Sequence, residues 1–244
     1  MDDPKRFVRD AFASIAHRYD RLNTVLSLGV DRCWRRRAVR LLDPRPGERI
    51  LDLCAGTLTF SRAVHRAARG RVEVTAVDFC MEMLTLGRAR LSADEAAAIR
   101  PAAGDAECLP LRDERFDAAL VTYGIRNLTR PGAALRELAR VLRPGGRVVI
   151  LDFLRPRGKA AAALYGFYLH RVLPRAGGLL SGSPAAYRHL ADSIRRFMEP
   201  EALLDLLARA GFKAPRLERY TGSIAGAFSA RKPGPSSPPP GGAP

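Results

Sequence analysis

Three acidic residues, each close to an apolar run, are the groups in this chain best suited to bind a ligand. Asp52 starts a loop of small residues, Asp78 closes a β-branched run, and Asp105 stands with Ala106 ahead of the next apolar run. An acid that ends the second strand of a sheet can accept hydrogen bonds from both ribose hydroxyls. Asp105 and Ala106 lie where an adenine amino group is commonly met. Each acid alone is equally well explained as a turn residue, but the three together favour a bound nucleoside.

The loop at residues 52–57, which reads DLCAGT, narrows the choice of nucleoside. A dinucleotide site needs G-x-G-x-x-G to admit a pyrophosphate, whereas this loop has one glycine, Gly56. Thr57 or Thr59 can cap the helix that follows. Asp52 would repel a pyrophosphate but suits a cation. S-adenosylmethionine (AdoMet), an adenosine that carries an ammonium and a sulfonium, fits this pattern.

Alternating strand and helix signals must position these acids. Apolar runs predict strands at residues 49–56, 72–78, 116–124 and 147–153, and helical spacing predicts helices at residues 60–69, 81–91, 131–142 and 200–210. Such alternation implies an α/β fold, a parallel sheet with helices on both faces and ligands beyond the carboxyl ends of its strands. Residues 216–220 and 223–231 predict a hairpin that adds an antiparallel strand.

Three segments lie outside this alternation. Residues 1–45 are predicted to form an N-terminal helical cap, and residues 46–232 the main domain. Residues 155–198 form an insertion in that domain with a cluster of aromatic residues and histidines, and both extra segments can cover the ligand edge of the sheet. Residues 233–244, rich in Pro and Gly, have nothing to pack a core and are predicted to be a disordered tail.

The net charge is unusual. The 244 residues include 41 Lys+Arg against 25 Asp+Glu, a formal charge of +16. Almost all of the positive charge is Arg, and the accompanying abundance of Ala, Gly and Pro indicates that part of the excess is compositional. The charge therefore predicts affinity for anionic surfaces and leaves both RNA and lipid open.

Other features concern redox state, metals and location. The four cysteines, Cys33, Cys54, Cys80 and Cys108, form no C-x-x-C pair, so neither a zinc site nor a disulfide framework is expected. The first residues show no secretory signal, and the longest apolar stretch, near residues 160–169, is too short to span a bilayer. We expect a cytoplasmic protein without a metal.

Four sequence blocks carry a family resemblance. They are residues 12–23 (FASIAHRYDRLN) with 26–29 (LSLG) and Trp34; residues 124–128 (GIRNL); residues 141–156 (VLRPGGRVVILDFLRP); and residues 187–195 (YRHLADSIR). The chain resembles the ubiquinone/menaquinone biosynthesis C-methyltransferases, class I AdoMet-dependent enzymes, over nearly everything from Val8 to Lys232. The L-x-P-G-G part of the third block is generic to AdoMet enzymes, whereas the other three blocks are specific to this family.

The resemblance implies a Rossmann-like class I methyltransferase fold with a mostly parallel seven-stranded sheet. It implies methylation of a ring carbon on a lipophilic polyprenyl quinol of the demethylmenaquinol or demethoxyubiquinol type. Residues 124–127 are expected to face this quinol. Carried over by position, the family's AdoMet contacts fall on Thr57, Asp78, Asp105, Ala106 and Thr122.

Two positions depart from the family pattern. The family loop usually reads Gly-Thr-Gly-Asp, whereas this chain has Gly56-Thr57-Leu58-Thr59. A Leu at positive φ is strained by about 1–2 kcal/mol, so either the loop has shifted or the cofactor site is weakened. Asp152, where the family tends to have Glu, is the milder departure.

The expected chemistry is an attack by a ring carbon that becomes nucleophilic as its neighbouring hydroxyl loses a proton. Arg126 is permanently protonated, so its expected role is to stabilise the developing phenolate or to hold a water. Asn127 and Tyr19 are candidates to orient the ring hydroxyls, and His170 or Asp20 to accept the proton. Tyr19 is also explained as a structural residue of the N-terminal segment, and His170, like His189, as a surface or packing residue.

Alternatives of other classes stay open. The charge favours an RNA methyltransferase, but the predicted strand at residues 116–124 ends without the Asn/Asp-Pro-Pro-aromatic motif or Pro-Cys nucleophile of that class. Leu58 favours a non-catalytic AdoMet- or lipid-binding relative, and another polyprenyl phenol or a sterol is an alternative substrate. The arginines around Trp34 predict either peripheral membrane contact or a solvated helix face. Residues 160–180 predict a shelter for the substrate tail, a lid or a homodimer surface.

Overall fold

A computed structural model describes residues 4–17, 20, 24, 27, 29–175 and 184–234. Its strands are β1 (Arg49–Leu53), β2 (Glu73–Asp78), β3 (Ile99–Ala103), β4 (Phe116–Thr122), β5 (Leu142–Phe153), β6 (Lys213–Tyr220) and β7 (Ala225–Arg231). They form one seven-stranded sheet in the order β3-β2-β1-β4-β5-β7-β6. Strands β1 to β5 pair in parallel, whereas β7 is antiparallel to both β5 and β6. The predicted mostly parallel sheet with an antiparallel end is confirmed.

Helices follow most of the strands. They are α1 (Pro4–Ile15), α2 (Val30–Leu42), α3 (Thr59–Ala67), α4 (Met81–Arg88), α5 (Ala93–Ala98), α6 (Pro131–Val141), α7 (Lys159–Phe167), α8 (Pro184–Arg196) and α9 (Pro200–Arg209). A 3-10 turn at Ile125–Asn127 follows β4, and a π-helical turn at Tyr168–Val172 continues α7.

The two faces of the sheet carry separate cores because successive strand side chains point to opposite sides. On one face, Ile50 of β1 belongs to a core with Val64 of α3. On the other, its neighbour Leu51 belongs to a core with Leu138 of α6. Every strand residue from Ile50 to Leu53 is buried, as expected for a parallel sheet covered on both faces.

Strand β3 and helix α5 are elements that the residue pattern did not predict. β3 lies at the edge of the sheet, contains Pro101 and has only Ile99 fully buried. Because an edge strand buries few residues and tolerates proline, its sequence does not show the usual run of β-branched residues. The start of α5 did carry a signal. Ser92 and Glu95 form a capping box, in which each side chain accepts a hydrogen bond from the other residue's backbone N–H.

Strand β5 begins five residues earlier than predicted. Its pairing with β4 moves from Leu142 opposite Phe116 to Arg147 opposite Ala118, so residues 143–146 form a bulge rather than a turn that precedes the strand. Gly145 has a φ of 78°, which glycine adopts without strain.

Helix α2 is fastened to the sheet by polar contacts as well as by its apolar face. The Trp34 indole N–H donates to the Thr221 hydroxyl at 2.9 Å. Arg147 of β5 donates to the Leu42 carbonyl at the end of α2 and pairs with Glu48 at 2.7 Å. The predicted N-terminal cap therefore shares the core of the main sheet through α2.

The segment between β5 and α9 builds a further core of its own with α1. Ile15 packs there with Leu169 and Leu173 after α7, and with Tyr187 and Ile194 of α8. This places α1, α7 and α8 together at the ligand edge of the sheet. Residues 235–244, most of the predicted tail, lie outside the described residues.

Candidate active site

Two of the three acids singled out in the sequence, Asp78 and Asp105, meet at the carboxyl ends of four adjacent strands. A cavity of about 140 Å³ lies there, and Asp78, Asp105, Ala106 and Thr122 all line it. The sheet order places β3, β2, β1 and β4 side by side along it. Crossovers with helices bring these distant residues to one edge, as expected for this type of fold.

Asp78 is held rigidly at the end of β2. Its carboxylate accepts hydrogen bonds from the Gly56 N–H at 2.8 Å and from the Cys80 N–H at 2.9 Å. Burial raises the pKa of Asp78, and these backbone donors act against the rise by stabilising the charged form. Each oxygen keeps further acceptor capacity for a ligand hydroxyl.

The loop after β1 has kept a glycine-type backbone although it lacks the glycine. Leu58 adopts φ 60° and ψ 19°, the left-handed conformation, and Gly56 has φ 51°. The Leu58 side chain is fully buried, and a Cβ on Gly87 of α4 would lie 2.7 Å from its Cγ. Packing of this side chain against α4 therefore holds the strained conformation.

Asp20 closes the outer side of the same loop. The Thr57 hydroxyl lies 2.8–2.9 Å from both Asp20 carboxylate oxygens, and the Thr59 hydroxyl donates at 3.1 Å. Arg90 pairs with Asp20 at 3.0 Å. Asp20 lines the small cavity and not the large one. Its hydrogen bonds place it at the loop after β1 and not beside a ring hydroxyl of a substrate.

Asp52 takes a different place from the one expected. Its side chain is fully buried outside the cavity lining, and its Oδ2 accepts a 2.6 Å hydrogen bond from the Ser61 hydroxyl. Its Oδ1 has no hydrogen-bond partner among the described residues. Burial, followed by the nearby charge of Asp78, raises the pKa of Asp52 to about 7. Asp52 therefore lies beneath the loop and outside the lining of the cavity.

A second, larger cavity of about 640 Å³ adjoins the first. Both are lined by Phe12 and Tyr123, which stand where the two meet. The larger cavity is mostly apolar, with a lining that includes Trp34, Phe153, Tyr165, Leu169, Leu173 and Tyr187. Arg126 and His189 bring polar groups into this apolar surface.

Arg126 is fixed by three partners. Its Nη1 donates to Asp152 Oδ1 and to the Tyr123 carbonyl, both at 2.6 Å, and its Nε donates to the Ser193 hydroxyl at 3.2 Å. The side chains of Arg126 and Asp152 are 2% and 0% exposed. Burial raises the pKa of Asp152, while the adjacent guanidinium opposes this rise. The Arg126 Nη2 donates to no described residue.

Asn127 and His189 lie beside this guanidinium. The Asn127 Oδ1 is 3.3 Å from His189 Nε2, and its Nδ2 donates to the Tyr123 carbonyl at 3.4 Å. Burial and then the Arg126 charge lower the pKa of His189, so the imidazole is neutral at pH 7. Arg126 and His189 line the large apolar cavity, whereas Asn127 lines the small one, so the three side chains form one polar group between the two cavities.

Three other predicted or overlooked residues need a correction or a comment. His170 is exposed and lines neither cavity, because the π-helical turn after α7 directs it outward, so it is not placed to accept a substrate proton. Tyr19 lies outside the described residues. His189, which was expected to be a surface or packing residue, lines the large cavity, and its place in the fourth family block was the available signal.

Comparison with known proteins identifies the class. The sequence model of the ubiE/COQ5 methyltransferase family matches residues 1–232. The chain belongs to this family. It is 41% identical over 233 residues to a demethylmenaquinone methyltransferase of Mycolicibacterium paratuberculosis, covering 96% of this chain and 97% of that protein. It is 40% identical over 238 residues to the enzyme of that name from Mycobacterium tuberculosis, covering 98% and 97%.

Solved structures agree with the fold. A possible histamine N-methyltransferase from Thermotoga maritima superposes with a TM-score of 0.65 at 21% identity, covering 92% of this chain and 99% of that one. A Haemonchus contortus phosphoethanolamine N-methyltransferase bound to AdoMet superposes with a TM-score of 0.60 at 16% identity, covering 78% and 49%.

The resemblance seen in the sequence is thus confirmed, and so are the class I fold and the AdoMet cofactor. The protein is an AdoMet-dependent methyltransferase, and the alternatives of an RNA enzyme or a non-catalytic relative are not favoured. The residues of the small cavity fit this cofactor, because the buried Asp78 at the end of β2 and the half-buried Asp105 after β3 suit hydroxyl and amine donors. The unpartnered Asp52 Oδ1 lies beneath the loop and outside the lining of this cavity.

Proposed function

We propose that this methyltransferase methylates a ring carbon of a polyprenyl quinol, the demethylmenaquinol type first, in respiratory quinone biosynthesis. The observation that carries the proposal is the junction of two unlike cavities at Phe12 and Tyr123, one with four carboxylates in its lining and one mostly apolar. A buried guanidinium, that of Arg126, stands in the apolar one. The names of the relatives from the two mycobacterial species support the same substrate class.

The small cavity is proposed to hold AdoMet, which supplies an electrophilic methyl group and a good leaving group. Asp78 would accept hydrogen bonds from the ribose hydroxyls, and Asp105 with Ala106 would meet the adenine. Gly56 and Thr57 form the loop that the cofactor approaches, and Thr122 adds a hydroxyl at the end of β4. Asp52 supports this loop through Ser61.

The large cavity is proposed to hold the quinol and the first part of its isoprenoid tail. Its apolar lining excludes water from the ring, and each buried methylene contributes about 0.8 kcal/mol to binding. The protein's main contribution to rate would then be to position the ring carbon and remove solvent. Both follow from the shape and the apolar lining of the cavity.

Arg126 is proposed to stabilise the phenolate that forms as the ring becomes nucleophilic. A phenol titrates near 10, judged from tyrosine, so ionisation at neutral pH needs a nearby positive charge. Asp152, the Tyr123 carbonyl and Ser193 fix the guanidinium through Nη1 and Nε and leave Nη2 for the ring oxygen. Such a fixed donor needs little reorganisation when the charge develops.

Asn127 is proposed to orient the ring hydroxyl, and His189 to accept its proton in place of His170. A neutral imidazole in the wall of the cavity is able to take up a proton, and the lowered pKa of His189 keeps it neutral at pH 7. Asn127 contacts this imidazole at 3.3 Å and connects it with the Tyr123 carbonyl.

The test is transfer of a labelled methyl group to demethylmenaquinol and to demethoxyubiquinol analogues. We expect labelling of the first, and a loss of turnover of about 100-fold or more in Arg126→Met. Arg126→Lys keeps the buried charge as a second variant, and the exposed Arg136→Met is the matched control. Retained binding of S-adenosylhomocysteine shows that each variant is folded. Labelling of neither quinol, or full activity of Arg126→Met, would contradict the proposal.

A peripheral membrane contact is proposed at α7 and its continuation. Leu164, Phe167 and Val172 are 72%, 61% and 41% exposed, and Leu164 and Val172 also line the large cavity. The sequence from residue 153 to residue 191 has six Lys or Arg and no Asp or Glu, so the surface suits anionic lipid. Arg35 of α2 turns inward and is therefore not part of an exposed basic surface on that helix.

Flotation with phosphatidylglycerol vesicles tests this surface. We expect binding that weakens with salt and that is lost in the double variant Leu164→Ser with Phe167→Ser. Met81→Ser, which removes an exposed apolar side chain elsewhere, should float like wild type. Equal flotation of all variants contradicts the membrane contact, and a change in sedimentation without a change in flotation indicates a homodimer surface instead. No helix in the described part of the chain is long and apolar enough to cross a bilayer.

A further inference from the structure

Arg35 is the one Lys or Arg among the described residues that line the small cavity. The other charged groups of that lining are acids: Asp20, Asp78, Asp105 and Glu107. A single guanidinium in a cavity lined by carboxylates is the natural partner of an anionic group on the ligand. The family contacts carried over to this chain do not include it.

The orientation of Arg35 follows from its position on α2. Asp31, Trp34 and Ala38 are buried on the inner face of this helix, whereas Arg32 and Arg36 are exposed. Arg35 stands four residues after Asp31, and its Nε donates to Asp31 Oδ2 at 3.1 Å. Side chains four residues apart lie on one helix face, so this pair directs Arg35 inward.

Aromatic rings and burial then fix the guanidinium. Its carbon lies 5.1 Å from the centre of the Phe60 ring and 6.0 Å from that of Tyr123. The side chain is 12% exposed, and its ion-pair partner Asp31 is 4% exposed. Only Nε is engaged with a described residue, so Nη1 and Nη2 remain available as a fork for a carboxylate.

The location of Arg35 along the cavity identifies the ligand group. Asp105 follows β3 and Asp78 ends β2, while Phe60 and Tyr123 follow β1 and β4, the next two strands in the sheet. If adenine and ribose occupy the β3 and β2 positions, as the proposed function requires, the amino-acid part of the cofactor lies towards β1 and β4. We propose that the Arg35 guanidinium binds the carboxylate of the amino-acid part of AdoMet.

Calorimetric titration with two ligands tests this contact without relying on turnover. S-adenosylhomocysteine carries the carboxylate, whereas 5′-methylthioadenosine keeps the adenosine and lacks the amino acid. We expect Arg35→Met to lower the affinity for S-adenosylhomocysteine about 10- to 100-fold and to change the affinity for 5′-methylthioadenosine less than about 2-fold. Arg36→Met, an exposed neighbour on the same helix, should bind both ligands like wild type.

Arg35→Lys is the second variant, because it keeps a positive charge over the two rings and loses the fork. We expect Arg35→Lys to lower the affinity for S-adenosylhomocysteine by less than Arg35→Met does, and to leave the affinity for 5′-methylthioadenosine unchanged. Equal weakening of both ligands, or no weakening of either in both variants, overturns the inference and leaves the cavity assignment intact. If the wild type binds neither ligand, the proposed cofactor cavity fails and the inference fails with it.

Discussion

Restoring the family glycine at position 58 should destabilise this protein, although the present residue is strained. Leu58 sits at φ 60° and is fully buried in the core that includes Val64 and Leu84. Leu58→Gly therefore removes two effects of opposite sign, the strain of the left-handed backbone and the packing of a buried side chain.

The magnitudes decide which effect dominates. A left-handed conformation costs a non-glycine residue about 1–2 kcal/mol, which the glycine variant recovers. Truncation of a buried Leu costs about 3–5 kcal/mol, and the added freedom of glycine in the unfolded chain costs about 0.4–1 kcal/mol more. We expect the free energy of unfolding to fall by about 3 kcal/mol in Leu58→Gly and by about 4 kcal/mol in Leu58→Ala, which keeps the strain.

Urea unfolding followed by circular dichroism measures both values, and Leu84 of α4 provides the control. Leu84 is buried in the same core within a helix, where glycine is about 1 kcal/mol worse than alanine. The order of the alanine and glycine variants should therefore reverse between positions 58 and 84. A Leu58→Gly protein as stable as wild type refutes the packing argument, and the same order at both positions refutes the strain argument.

Three further changes test other parts of the site. Gly87→Ala should destabilise the fold and weaken S-adenosylhomocysteine binding in titrations, although alanine has the better helix propensity. The reason is that the added Cβ would lie 2.7 Å from the Thr57 backbone. An unchanged affinity and an unchanged melting temperature would contradict this. Asp152→Asn should lower the free energy of urea unfolding by about 3 kcal/mol, because it leaves the buried Arg126 charge uncompensated; a change within about 0.5 kcal/mol argues against it. Burial raises the pKa of Asp52 from a usual 3.8 to about 7. Between these two pH values the carboxyl is protonated in the native protein but ionised in the unfolded chain. The free energy of unfolding of the wild type therefore falls as the pH rises through this window. Relative to wild type, Asp52→Asn should gain up to about 1.4 kcal/mol per pH unit across the window and no more above it, and a difference that is flat between about pH 5 and pH 8 contradicts the raised pKa.

The sequence by itself determined the fold class, the family and the cofactor. Strand and helix periods are local, and so are the small residues at 54–56 and the acid that closes β2, so these could be recognised from neighbouring residues. Strand β3 was missed because an edge strand with a proline buries too little to show a strand pattern.

Only the tertiary structure decided which side chains share a cavity. The sequence favoured His170 over His189 as the proton acceptor, whereas the packing of α7 and α8 turns His170 outward and places His189 beside Arg126. Arg35 belonged to a run of arginines on one helix, and only the position of that helix against Phe60 distinguishes it from its neighbours. The physical reason is that side-chain direction follows from the packing of elements distant in the sequence, which a local pattern does not encode.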